Sequence, residues 1–216
     1  MKVAFLAESE ADEEALRIFV EFLCGSPVEV IAGPRLRTRG WPSIREVLPK
    51  VLRHVHYRTD AAGFAVLVDS DQSLPHDASH GDAERNDRCR TCCLRTVIEG
   101  VRTGLRPRAD GSFIRIALAT AIPALEAWFL CGRDGRVGEA PWGQALKTGR
   151  LPYTRKDLKR MVYGTEIPSQ ATCVRVCREE AQRLTRRVAD LERSFPAGFG
   201  SFAEEVCRWR RTSSPA

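Results

Sequence analysis

GFAVLVDSDQS, residues 63 to 73, decides how the rest of the chain is read. Phe64 to Val68 form an unbroken apolar run, too short for an ordinary helix and without a polar face. That is the pattern of a strand buried on both sides, as in a parallel sheet covered by helices. The run ends in Asp69 and Asp71, which on an extended chain project to the same side. Two like charges at the mouth of a buried strand need an explanation.

Working outward, KVAFLA at 2–7, VEVIAG at 28–33 and SFIRIALAT at 112–120 read as further strands. Between the first two lies a helix with Leu16, Phe19, Val20 and Leu23 at helical spacing, capped by Ser9 and closed by Gly25. A second helix spans 44–58, with Pro49 expected to kink it or to end a first short piece. A third spans about 84–103, with Leu94, Val97, Ile98 and Val101 as its seam. The order β-α-β-α-β-α-β predicts an α/β fold, a mostly parallel four-stranded sheet between helices. After AIPALEAWFLCG, a turn into a short helix, residues 133–152 are rich in glycine and turn formers, and helices are expected over 172–193 and 199–211. This divides the chain into an α/β domain, 1–130, and a helical C-terminal extension, 131–216, packed on it.

The chain has 216 residues, 43% hydrophobic and 29% charged, enough for one sizeable core. Its 34 basic residues against 28 acidic ones give a net charge of +6, which favours a polyanionic partner only weakly. The apolar part of MKVAFLAESE is too short for a signal-peptide core or a membrane span, so a cytoplasmic protein without a membrane partner is expected. The eight cysteines are then expected to be thiols unless they bind metal.

In a parallel α/β sheet, ligands bind beyond the carboxyl ends of the strands. Glu8 follows the first strand, and Asp69 and Asp71 close the third. Carboxylates gathered there raise one another's pKa unless a cation sits among them, and oxygen-only ligands describe Mg²⁺ or Mn²⁺ rather than zinc. The turn ESEADEE, residues 8–14, lacks the glycines of a phosphate-binding loop and crowds the helix start with acids, which repels a bare phosphate and favours a metal. The residues alone leave another reading open, in which these acids are helix caps and solvated turn residues.

A glutamate after the first strand and Asp-x-Asp after the third, in this order of elements, resembles the Toprim domain of topoisomerases, primases, maturase-type ribonucleases and OLD-family nucleases. AIPALEAWFLCG is similar to the Pro-x-x-Glu-x-Trp segment of small Toprim-like proteins of unknown function, relatives of RloB from bacterial defence loci. LKRMVYG and SFPAGFGSFAEEVCRW resemble the C-terminal parts of the same proteins. Where the Toprim pattern has glycine after its glutamate, this chain has Ser9. The resemblance implies that Glu8 is a metal ligand or general acid/base, that Asp69 and Asp71 bind Mg²⁺, and that Glu126 completes a second metal site. Glu126 reads equally well as a helix-start residue beside a core Trp128. The implied activity is Mg²⁺-dependent phosphodiester hydrolysis by an antiviral defence effector, acting on DNA or RNA, transfer RNA included. An ATPase encoded nearby and a homo-oligomer are the implied partners. The alternatives are a non-catalytic subunit binding nucleic acid or an ATPase, and a small-molecule phosphatase using the same metal. Tyr57, Tyr153 and Tyr163 lie in no setting that suggests a strand-passing nucleophile.

Arg35, Arg37 and Arg39, in the loop after the second strand, are candidate phosphate contacts on the acids' edge, and so is Lys159 of LKRMVYG. The arginines of 172–193 read as a solvated face. His76, Asp77, His80 and Asp82 follow Asp71 in a polar loop that could supply a base or an extra ligand. His54 and His56 are expected to complement a helix dipole. Cys89, Cys92 and Cys93 read as small thiols in a helix seam rather than as zinc ligands, because no glycine-containing knuckle accompanies them.

Overall fold

The computed structural model describes residues 1–33, 40–77, 80 and 87–211. Four strands, β1 (Lys2–Leu6), β2 (Glu29–Ile31), β3 (Gly63–Asp69) and β4 (Arg115–Ala121), form one sheet in the order β2-β1-β3-β4. Every pairing is parallel, with Val3 opposite Gly63 and Gly63 opposite Arg115. The α/β expectation holds, and the arrangement is Rossmann-like.

The alternation of side chains along the strands divides the core in two. Val3, Phe5, Ala65, Leu67, Ala117 and Ala119 face α1 (Glu10–Cys24) and the C-terminal helices. Ala4, Leu6, Phe64, Val66, Val68 and Leu118 face α2 (Gly40–Arg58) and α3 (Arg90–Arg102). All of β3 is buried, as its apolar run requires.

α1 starts as read: Ser9 caps it by accepting from Asp12 N at 3.2 Å, and Gly25 ends it at φ +68°. Ser9 therefore has a local task at the position where the resembling domains carry glycine. α2 departs from expectation, starting at Gly40 and running through Pro49 without ending there. His56 departs too. It is 1% exposed, its Nε2 lies 2.8 Å from Arg106 O and its Nδ1 accepts from Ile114 N at 3.4 Å, so it ties the α2 terminus to the approach to β4 rather than complementing a dipole.

Beyond β4 come α4 (Leu125–Phe129), α5 (Glu139–Thr148), α6 (Arg155–Tyr163), α7 (Gln170–Thr185), α8 (Val188–Ser194), a wide π-helical turn at Pro196–Gly200, and α9 (Ser201–Arg211). The helix expected over 172–193 is thus two, broken at Arg186 and Arg187. Of its apolar seam, Cys177, Ala181, Leu184 and Leu191 are buried and join Phe19, Trp128, Phe199 and Phe202 in one core cluster, while Val188 packs against that cluster half-buried. α9 also covers the outer edge of β4: Glu205 Oε2 accepts from Leu118 N at 2.8 Å, and Arg115 donates to Trp209 O at 2.8 Å. A sheet edge left open would present such groups to another chain.

Candidate functional site

β1 and β3 lie side by side at the centre of the sheet, and the chain leaves them in opposite directions, β1 toward β2 and β3 toward β4. A crevice opens at their carboxyl ends for that reason. Glu8, two residues past β1, accepts from Asp69 N at 3.1 Å. Asp69 ends β3 at 7% exposure; its Oδ1 accepts from Leu125 N at 3.0 Å, and its Oδ2 accepts from Arg155 Nη2 at 2.5 Å. Asp71 Oδ1 accepts from Arg155 Nη1 at 2.5 Å, and its Oδ2 lies 2.7 Å from Arg90 Nη2. The backbone of Asp71 is left-handed, φ +49°, a conformation that aspartate tolerates better than most residues. Bonds from Ser70 N to Ala121 O and from Asp71 N to Pro123 O, at 2.7 and 2.8 Å, hold that turn against the end of β4.

Asp12 and Glu126 complete the acidic group. Asp12 is pushed up to about 7, by burial first and then by the charges of Glu126 and Glu8, against the lowering effect of the Ser9 hydroxyl. Burial likewise raises Glu8, opposed by the Asp69 N–H and reinforced by Asp71. Asp69 is raised well above the usual range by burial; Arg155 opposes this, and Asp12, Glu126 and Glu8 add to it. For Arg155, burial disfavours the charge, but Asp69, Asp71 and Glu126 outweigh it and hold the guanidinium protonated. Glu126 sits in the first turn of α4 at 7% exposure beside a fully buried Trp128, so it is a helix-start residue and a member of the acidic group at once.

Five carboxyls from two strand ends and two helix starts therefore share two guanidinium groups, Arg90 and Arg155. This donor set is oxygen-only with charge of one sign in excess, the chemistry that suits a hard divalent cation; among the described residues, the group whose ligand atoms already close on one point is a different one, His76, His80, Cys89 and Cys92. Arg155 pairs with one oxygen of each of Asp69 and Asp71, so a cation held by those carboxylates would compete with it.

Arg155 and Arg90 are the residues that sequence reading passes over. Arg155 opens α6 directly after a capping box between Thr154 and Asp157, a pattern legible in TRKD, although nothing in it says that the helix start lies over the third strand. Lys159 is one turn further along the same face of α6, half-buried, with its charge felt at Cys173. Arg35, Arg37, Arg39 and Asp82 lie outside the described residues. The arginines of α7 pair with acids, Arg175 with Glu179 and Arg178 with Glu14, as a solvated ionic face does. Beside Asp71 a cleft of about 630 Å³ is lined by Arg90, Trp142, Tyr153, Arg155 and Lys156, among others.

The cysteine reading needs correction. Cys89 is the N-cap of α3 with extended backbone, not a residue of a helix seam, and α3 begins at Arg90 rather than near 84. Cys89 and Cys92 are buried beside His76 and His80, with one ligand atom from each of the four lying within 4.8 Å of all the others. Cys93 faces away, donating to Asp87 O at 3.2 Å. Burial pushes the Cys89 thiol up to about 11 and, with Arg95 and His80, lowers His76. His-x3-His followed by Cys-x2-Cys was present in the sequence; the missing step was that His76 and His80 lie against the start of α3.

Among the described residues, no helix is long and apolar enough to cross a membrane. Comparison with protein-family models, with curated proteins and with solved structures finds no match to this chain.

Proposed function

We propose that the protein is a Mg²⁺- or Mn²⁺-dependent phosphodiester hydrolase of Toprim type, cleaving nucleic acid as an effector of an antiviral defence system. The observation that carries this reading is the convergence of Glu8, Asp12, Asp69, Asp71 and Glu126 at the strand-crossover crevice with too little positive charge to balance them. Glu8, Asp69 and Asp71 would hold the ion, with Glu126 and Asp12 flanking it. When bound, such an ion supplies Lewis acidity toward a phosphoryl oxygen and a water activated at neutral pH.

The chain's own groups do the rest. Arg155 and Arg90 hold Asp69 and Asp71 until an incoming phosphodiester offers its own oxygens, and a guanidinium fork suits that exchange. Arg155, Lys156 and the adjoining cleft give the polyanion a path away from the acids, with Lys159 on the next turn. Asp12, pushed up to about 7, and Glu8, raised, are suited to accept a proton from a water and return it to a leaving oxygen near neutral pH. Incubating the purified protein with mixed DNA and RNA in Mg²⁺ or Mn²⁺ tests this. Cleavage is expected, together with its loss in the Asp69→Ala, Asp71→Ala double variant; undiminished cleavage in that variant ends the proposal.

A second reading has its own observation. Arg155 bridging both aspartates is also how a closed, structural ion network would look, as expected of a non-catalytic subunit that binds nucleic acid or an ATPase. A Mg²⁺-dependent rise in melting temperature that disappears in Asp69→Ala favours the enzyme; no response to Mg²⁺ favours the binding subunit.

A further inference from the structure

We infer that His76, His80, Cys89 and Cys92 bind one Zn²⁺ ion in a closed structural site that clamps the loop after β3 onto the start of α3. Tetrahedral zinc, with Zn–S about 2.3 Å and Zn–N about 2.0–2.1 Å, separates its ligand atoms by roughly 3.3–3.8 Å. Cys92 Sγ lies 3.4 Å from His76 Nδ1 and 3.7 Å from His80 Nδ1, and Cys89 Sγ lies 3.7 Å from His76 Nδ1. Those separations already match the edges of such a tetrahedron. The donors are two sulfurs and two imidazole nitrogens, the set that zinc takes in closed sites and that Mg²⁺ does not take.

The element that supplies the ligands is also suited to the task. Cys89 is the N-cap residue of α3, so both sulfurs come from the start of one helix, and the imidazoles come from His76 and from His80, whose backbone N–H donates to Asp77 O at 3.1 Å. Binding replaces two thiol protons, released to solvent, with two bonds to the ion. One contact must change: Arg95 Nη1 lies 3.2 Å from His76 Nε2, which has to carry the proton once Nδ1 is a ligand. Arg95 has Glu205, 3.5 Å away, as its other partner.

The location gives the ion a consequence. Arg90 lies between the two cysteines in sequence and reaches from there to Asp69 O at 2.5 Å and to Asp71 Oδ2 at 2.7 Å. Fixing Cys89 and Cys92 fixes Arg90, so the zinc site would hold one guanidinium of the acidic group in place without touching that group.

The test uses the full chain, freed of any polyhistidine tag and dialysed against a weak chelator, with zinc measured by elemental analysis. One zinc per chain is expected, released in full when a mercurial reagent blocks the thiols. Cys92→Ser and His76→Ala should lose at least nine-tenths of it, while Cys93→Ser, which alters a neighbouring thiol outside the cluster, keeps it. Because a variant could fail to fold, the wild-type chain is also loaded with Co²⁺; thiolate-to-cobalt charge transfer and the strong visible bands of a tetrahedral site are expected. Substoichiometric zinc in wild type with no such spectrum overturns the inference, as does full zinc content in Cys92→Ser. None of these readouts depends on nucleic-acid cleavage.

Discussion

Two clusters of metal-ligating side chains lie at the same end of the sheet and are built on opposite principles. The acidic one gathers hard oxygen donors from distant parts of the chain, leaves Asp71 partly accessible and places Arg155 between Asp69 and Asp71. The other takes soft donors from a single loop and helix start and closes them around a point. An open site with a replaceable counter-charge suits turnover, whereas a closed site of four protein ligands suits structure. Arg90 is the mechanical link, sitting between Cys89 and Cys92 in the chain and ion-paired with Asp71.

The largest effects should separate the two clusters. Asp69→Asn is expected to reduce metal-dependent cleavage by about 100-fold or more while zinc content stays at one per chain, since removing one well-placed electrostatic group commonly has an effect of that size. Cys92→Ser should do the reverse for zinc and reduce cleavage only through the displacement of Arg90. Paired elemental analysis and cleavage assays decide it: zinc loss in Asp69→Asn, or cleavage as impaired in Cys92→Ser as in Asp69→Asn, would mean that the clusters are one site.

Next in size is the stability that the closed site contributes. A ligand present at a thousandfold over its dissociation constant stabilises the native state by about 4 kcal/mol. In a chain of this length that corresponds to roughly 10 °C in melting temperature. A strong chelator should lower the wild-type midpoint by about that much and leave Cys92→Ser unmoved. An equal drop in both would assign the effect to some other metal.

The contrast also accounts for what could be read without coordinates. The sheet was legible because β3 is apolar on both faces and because strands and helices alternate cleanly up to Ala121. That Glu8, Asp69 and Asp71 come together at one edge was legible because a strand end fixes where its next residues point. Arg155 was not, since its place over Asp69 depends on the path of 34 residues after β4, which no local pattern encodes. Cys89 was misplaced for a related reason: a helix drawn from about 84 absorbs it into a seam, whereas α3 begins at Arg90 and frees Cys89 to turn toward His76. Pattern reading was strongest where geometry follows from periodicity and weakest where a loop returns.

A smaller effect probes the counter-charge. Arg155→Ala removes the guanidinium shared by Asp69 and Asp71, and because that side chain is 44% exposed the expected loss is about 1–2 kcal/mol rather than that of a fully buried pair. If Arg155 and a divalent ion compete for the same oxygens, Mg²⁺ should stabilise Arg155→Ala more than wild type. Thermal midpoints with and without Mg²⁺ measure this, and equal or smaller gains in the variant would place the ion elsewhere.

The smallest effect follows from proton linkage. Asp12 is pushed up to about 7 in the folded chain, from an ordinary value near 4 when unfolded. Between these values the native state holds a proton that the unfolded state has released, so this group makes stability fall as pH rises from about 4 to about 7, and adds no change above that. One proton sets a slope no steeper than about 1.4 kcal/mol per pH unit. Asp69, Glu8 and Glu139 are raised as well, chiefly by burial, and act with the same sign. In metal-free buffer the wild-type midpoint should therefore drop from pH 5 to pH 7.5, and Asp12→Asn should flatten the drop by deleting one titration and relieving Asp69. Mg²⁺ should flatten it too, since an ion among the carboxylates favours their charged forms. A pH dependence in Asp12→Asn as steep as in wild type would remove Asp12 from the acidic group.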